Sequence, residues 1–150
     1  DRESNMKEKI VILRDALEKG MSLSSPLQNH YLELGQSNSD VRACAIGAIY
    51  IGLKVTSEDD ADDVIHNLIS QRGYVTDEDI DSAFEGAIGQ EAYNNTTFAE
   101  VGIQPIPGSD ADEIIMSAII TANDNEYMTD NNDCRQVVLD WMNEVIDEAE

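Results

Sequence analysis

Residues 41–53, VRACAIGAIYIGL, form the most apolar segment of this chain, and apart from Arg42 the segment is apolar on every side. A helix that is apolar all round belongs at the centre of a core. We therefore predict a central buried helix over 41–53, with Asp40 as its N-cap. Gly47 and Gly52 lower the helix propensity of this segment, and we expect a neighbouring helix to pack closely on them.

Helical periodicity continues on both sides of this segment. Residues 7–19 carry one apolar stripe that ends before Gly20, and Ser25-Pro26 reads as the start of a short helix through Leu34. Later helix starts are indicated by a Ser or Thr followed by acidic residues, which can cap free backbone N–H groups. These signals lie at Ser57, Thr76, Ser109 and Thr129.

These patterns predict an all-α or mostly α protein, in which about six to seven helices form a compact bundle around the helix 41–53. No linker long enough to divide the chain is visible, so residues 1–150 are expected to form a single domain. The prolines near residues 97–106 predict one extended segment there. Residues 1–5, which precede Met6, are expected to form a flexible leader.

The charge of the chain is unevenly distributed. The 31 acidic residues exceed the nine Lys and Arg by 22, and all of this excess lies in residues 55–150, where Arg72 and Arg135 are the only Lys or Arg. A direct nucleic-acid binder would need a basic surface, and an anionic membrane would repel this chain. The charge therefore excludes a direct nucleic-acid binder and a protein that binds membranes electrostatically. Two cysteines and no visible signal peptide indicate a reduced, cytoplasmic protein.

The last helix carries acids that helix electrostatics does not explain. Asp133, Asp140, Glu144 and Asp147 are predicted on one face about 21 Å long, and Glu148 extends it. Acids near the C-terminus of a helix oppose its dipole. We predict that these five residues bind a basic protein partner, and a negative stripe of this kind could imitate a phosphate backbone. A solvated face is the alternative explanation.

Residues 123–133, NDNEYMTDNND, are a candidate calcium loop, since eight of these eleven residues are Asp, Asn or Glu. Calcium takes about six to eight oxygen ligands. The carboxylates available for this role are Asp124, Glu126, Asp130 and Asp133. The alternative is that the polar residues simply end one helix and start the next.

Cys44 is the one candidate nucleophile, because a helix N-terminus can activate a thiol. Catalysis would also need a base, and only His30 and His66 are imidazoles. The apolar neighbours of Cys44 favour a different interpretation, in which Cys44 is a small buried core residue. We therefore predict that the protein is not an enzyme and keep a Cys44-dependent enzyme as an alternative.

Two segments resemble a functionally uncharacterised group of small bacterial and phage proteins. They are residues 43–53, ACAIGAIYIGL, and residues 114–145, which contain Asn123-Asp124, Thr129 and Trp141. The resemblance implies a compact helical fold and a phage or accessory-gene origin, and it transfers no catalytic residue. It also implies that Cys44 and Asn123-Asp124 meet in space, with Asn123 or Asp124 capping the central helix.

The leading functional hypothesis is therefore a non-enzymatic acidic interaction protein. It would bind a basic protein surface, and one form of it is an inhibitor that mimics nucleic acid and blocks a nucleic-acid-binding site. Charge complementarity of this kind mainly gives fast association and sensitivity to salt. The two alternatives are the calcium-binding module and the Cys44-dependent enzyme.

Overall fold

The computed structural model describes residues 2–35, 40–57, 61–70, 76–89, 97–125 and 133–148. Within these ranges the chain is mostly helical, as predicted, with seven helices and one small sheet. The helices are α1 Arg2–Ser22, α2 Ala45–Ser57, α3 Ala61–Ser70, α4 Asp77–Ile88, α5 Phe98–Val101, α6 Ile115–Asn125 and α7 Gln136–Glu148. The described helices share one hydrophobic core.

A three-stranded sheet, which the sequence patterns did not predict, precedes the central helix. Its strands are β1 Ser25–Pro26, β2 Leu32–Leu34 and β3 Val41–Ala43, in the order β1-β3-β2. β3 pairs parallel with β1 and antiparallel with β2. The helix predicted from Ser25-Pro26 through Leu34 is therefore wrong.

The predicted start of the central helix at Val41 is also wrong, since α2 begins four residues later and continues to Ser57. Val41 and Ala43 are buried while Arg42 is exposed, which is the two-residue alternation of a strand. Arg42 was the feature of the sequence that argued against a helix at residues 41–43, because a charged side chain in a fully buried helix could not reach solvent. Asp40 consequently lies before β3 and does not cap the helix.

α1 and α2 pack so closely that glycine is required at the contact. A Cβ on Gly52 of α2 would overlap the carbonyl oxygen of Ala16, and one on Gly20 of α1 would overlap that of Ala48. The prediction that a helix packs on Gly52 is confirmed. Gly47 instead lies against the carbonyl oxygen of Tyr31, in the loop before β2. α1 does not end at Gly20 as predicted, since it runs through this contact to Ser22.

The other helices are arranged around this pair. α3 and α4 contact α2, α4 also contacts α1, and α7 packs on α1 and α6. Trp141 of α7 donates a hydrogen bond from Nε1 to the carbonyl oxygen of Gln104 at 2.9 Å. Its ring meets that of Phe98 edge to face, with centroids 5.6 Å apart. These contacts hold the segment after α5 against α7.

Capping explains the starts of two helices. Thr76 and Asp79 form a reciprocal capping box at the start of α4, which confirms that predicted start. A second capping box joins Thr97 and Glu100. It begins α5 inside the segment 97–106, so the prediction that this whole segment is extended is wrong for its first half.

The remaining start signals have other outcomes. Ser109 is not a helix cap, because its hydroxyl donates to the carbonyl oxygen of Ile106 and α6 begins only at Ile115. Ser57 is the last residue of α2, while Thr129 lies outside the described residues. α1 begins at Arg2 and so includes residues 2–5 of the expected leader. No helix in the described part of the chain is long and apolar enough to span a membrane.

Candidate functional site

A buried polar junction joins the end of α6 to the start of α2. The Asn123 side chain is completely buried. Its Oδ1 accepts a hydrogen bond from the backbone N–H of Ala45 at 3.0 Å, and its Nδ2 donates to the carbonyl oxygen of Leu27 at 3.0 Å. Asn123 therefore caps the central helix beside Cys44, as the pairing of these motifs predicted.

Asp124 extends the junction toward the surface. Its Oδ1 accepts from the backbone N–H of Asn29 at 3.0 Å and from Nδ2 of Asn123 at 3.3 Å. Asn29 has a φ of 73°, the left-handed conformation that Asn tolerates better than most residues. The backbone turn at Asn29 and the Asp124 carboxylate thus hold each other in place.

Cys44 lies at this junction, immediately before α2. Its side chain is 5 % exposed, and Sγ accepts a hydrogen bond from the backbone N–H of Gly47 at 3.5 Å. The pKa of Cys44 is raised to about 11, with burial as the largest cause. The backbone hydrogen bonds from Gly47 and Ile46 act in the opposite direction, and the charge of Asp124 contributes to the rise. The thiol therefore keeps its proton at neutral pH, whereas a nucleophile must be a thiolate.

Cys134 is also buried, and its Sγ donates to the Leu27 carbonyl oxygen at 3.5 Å. Burial is the main cause that raises its pKa, followed by the charge of Asp133. Both cysteines are free thiols.

A cleft of about 310 Å³ opens beside Cys44. Its lining consists of Asn29, His30, Tyr31, Cys44, Ile120 and Asp124. His30, one of the two imidazoles available as a base, therefore lines the same cleft as Cys44. The cleft was not predicted, because residues 26–34 were expected to form a helix. The polar residues Gln28-Asn29-His30, which lie between Leu27 and Leu32, were the feature of the sequence that could have indicated a turn here.

The predicted calcium ligands are not all in described positions. Glu126 and Asp130 lie outside the described residues. Asp124 is bonded at the junction, and Asp133 forms an ion pair with Arg135. Among the residues that the structure describes, no group of three or more His, Cys, Asp or Glu is arranged to hold a metal ion. The calcium hypothesis stays a prediction.

The predicted acidic stripe is shorter than expected. Asp140, Glu144, Asp147 and Glu148 are exposed on α7, and we call these four residues the α7 acidic surface. They span about 12 Å along the helix at about 1.5 Å per residue. Asp133 does not belong to this surface, because it lies before α7 and its Oδ1 accepts from the backbone N–H of Arg135 at 2.8 Å.

Arg135 is the only Lys or Arg in the described residues after Lys54, and it is buried. Its guanidinium binds both carboxylate oxygens of Asp133, at 2.8 and 2.7 Å. It also donates to the hydroxyl of Ser24 at 2.7 Å. The positive charge of Arg135 is therefore used inside the fold and is not available to the α7 acidic surface.

Comparison of the chain with family models, curated proteins and solved structures found no match.

Proposed function

We propose that this protein binds a basic protein through the α7 acidic surface. The observation that carries the proposal is the position of these carboxylates. Asp147 and Glu148 are exposed at the end of α7, and the last turn of this helix contains no basic residue. Each acid at the negative end of a helix costs about 0.3–1 kcal/mol. A partner with Lys or Arg side chains at this position would offset the repulsion between these carboxylates and the helix dipole.

The charges around α7 support the same proposal. Arg135, in the same half of the chain, is buried against Asp133. Arg14 of α1 reaches α7, but its guanidinium donates to Oδ1 of Asn143 at 2.9 Å and pairs with Asp15 at 2.7 Å. Neither arginine forms an ion pair with the α7 acidic surface, so a partner's Lys and Arg side chains would find its carboxylates accessible.

The proposal predicts binding that depends on charge and salt. Opposite charges across an interface mainly accelerate association, and salt screens them over about 8–10 Å. The protein would act without catalysis, by covering the basic surface of its partner.

Charge reversal on α7 tests the proposal. The immobilised protein is used to capture partners from a lysate of cells that encode it, at about 50 mM and about 300 mM salt. We expect a discrete basic protein that is retained at low salt and released at high salt. Asp140→Lys, Glu144→Lys and Asp147→Lys in one variant should abolish its capture, measured afterwards as the Kd of the purified pair.

The matched control reverses three exposed acids on other helices, Asp63, Asp77 and Glu78, and so changes the net charge equally. It should retain most of the affinity if α7 is the contact. Equal loss in both variants would show that total charge, and not the α7 acidic surface, determines binding. Circular dichroism verifies that both variants are folded.

A narrower form of the proposal is that the partner surface normally binds nucleic acid. The α7 acidic surface spans about 12 Å, which corresponds to roughly three to four phosphate spacings of one strand. If this form holds, the protein should release its purified partner from a fluorescent DNA duplex, and the α7 variant should not. Simultaneous binding of duplex and protein would contradict the mimic but not the basic-partner proposal.

A further inference from the structure

The cleft beside Cys44 has the size and lining of a small-ligand site. Small-molecule sites range from about 300 to 1,000 Å³ and combine apolar walls with a few fixed polar groups. This cleft, of about 310 Å³, lies at the lower end of that range. Ile120 and Tyr31 are the lining residues with large apolar side chains, while Asn29, His30 and Asp124 are polar.

The carboxylate in the cleft is held in a fixed position. Oδ1 of Asp124 accepts from the backbone of Asn29 and from the side chain of Asn123. Asn123 is itself immobilised by its hydrogen bonds to Ala45 and Leu27. A ligand would therefore meet a carboxylate that needs little further ordering, which lowers the entropic cost of binding.

Carboxylates act on two of the groups that line this cleft. None of the described residues that line it is Lys or Arg. Burial is the largest cause of the raised pKa of Tyr31, and the charge of Asp77 is the next, with a further contribution from Asp81. The charge of Asp124 likewise acts on Cys44. Carboxylates of α4 and of the end of α6 thus both act on groups that line the cleft.

We propose that this cleft binds a small organic cation, an ammonium or guanidinium group on a short apolar stem. The cationic end lies at Asp124, and the stem packs against Ile120 and the ring of Tyr31. An aromatic face adds attraction for a cation. The cleft residues are distinct from the α7 acidic surface, so this inference does not depend on the proposed function. The cation belongs either to a free amine or to a basic side chain.

Two probes distinguish these sources. Agmatine represents a free amine, and the peptide acetyl-Gly-Arg-Gly-amide represents a basic side chain. Each is titrated into the ¹⁵N-labelled protein, and the backbone amide shifts of Asn29, Cys44 and Ala45 are followed. We expect saturable shifts at these amides. Tighter binding of the peptide would assign the cleft to a side chain, and tighter binding of agmatine to a free amine.

Asp124→Asn tests the role of the charge, because an Asn side chain retains the Oδ1 acceptor. We expect this variant to weaken binding about tenfold, which is the effect of roughly 1.4 kcal/mol. Asp77→Asn, a second variant outside the cleft lining, should weaken binding by a smaller factor. Asp140→Asn is the matched control, since it makes the same charge change on α7, and it should leave the affinity unchanged.

Three results would overturn the inference. One is the absence of saturable shifts with either probe. Another is equal binding of the neutral compound N-butylurea, which would remove the requirement for positive charge. The third is equal loss of affinity in Asp124→Asn and Asp140→Asn, which would indicate diffuse attraction to a polyanion. None of these results bears on the α7 proposal, which is tested with a basic protein and not with a small cation.

Discussion

Cys44 is a residue at which two physical effects oppose each other. Its position before α2, with Sγ accepting from the backbone of Gly47, stabilises a thiolate as the N-terminus of a helix does. Burial destabilises the charged form and is the larger effect, so the pKa rises to about 11. The sequence analysis favoured a buried core cysteine from the apolar neighbours, and the 5 % exposure of Cys44 agrees with that interpretation.

This balance predicts how stability depends on pH. The pKa of Cys44 rises from an ordinary value of 9.0 to about 11 on folding. Between these values the unfolded chain has lost a proton that the folded protein keeps, so the free energy of unfolding falls as the pH rises. Urea unfolding at pH 7.5 and pH 10.5 should show that Cys44→Ala removes roughly 1–3 kcal/mol of this fall.

Ile46→Val is the control for this measurement, because it alters the same core without removing a titratable group. Its stability difference from the wild type should be equal at the two pH values. Alkylation supplies an independent check, since the native thiol should react with iodoacetamide only slowly at pH 7.5. Reaction at the rate of a free thiol would contradict the protonated, buried state and would favour the Cys44-dependent enzyme.

At the scale of elements, the contact between α1 and α2 organises the core. Glycines of both helices face backbone carbonyl groups of the partner helix, at Ala16 and at Ala48. A glycine inside a helix is less favourable than alanine by about 0.5–1 kcal/mol. The close contact compensates for this cost, because dense packing of two backbones increases the dispersion attraction between them.

Substitution of these glycines tests the importance of the contact. Gly52→Ala should destabilise the protein by about 1–3 kcal/mol, since its Cβ would overlap the carbonyl oxygen of Ala16 and push the helices apart. Gly86→Ala on α4 is the matched control, because a Cβ there meets nothing within 4 Å. It should stabilise the protein by up to about 1 kcal/mol. Equal effects in chemical denaturation would argue against the close contact.

At the scale of the whole molecule, Asn123 links three segments that are remote in sequence. Its hydrogen bonds join α6 to Ala45, at the start of α2, and to Leu27, after β1. Arg135 makes a second link of this kind, because it connects the start of α7 to Ser24. The side chains of Asn123 and Arg135 thus connect the segment around β1 to α6 and to the start of α7.

Asn123→Ala should therefore destabilise the whole fold. It would leave the Ala45 N–H without its partner, at about 1–3 kcal/mol for a buried group, and the Leu27 carbonyl oxygen with only the weak S–H donor of Cys134. Asn125→Ala, which changes an exposed residue of the same helix, should alter stability by less than about 0.5 kcal/mol. Thermal and urea unfolding measure both variants, and a small effect at Asn123 would contradict its linking role.

The features that depend on neighbouring residues could be predicted from the sequence. These include the mostly helical fold, the capping box of Thr76 and Asp79, the burial of residues 45–52 and the concentration of negative charge after residue 54. Helix periodicity and capping act over three or four residues, and a count of charged residues needs no coordinates. Such features can therefore be recognised from local spacing alone.

The features that depend on remote partners became visible only in the folded structure. Strand β3 exists because residues 41–43 pair with two other short segments, and no local pattern identifies those partners. Asp133 differs from the other predicted acids for the same reason. Its carboxylate pairs with Arg135, and the guanidinium of Arg135 is held in place by Ser24, which is remote in sequence. The cleft likewise arises where the turn after β1, the start of α2 and the end of α6 meet.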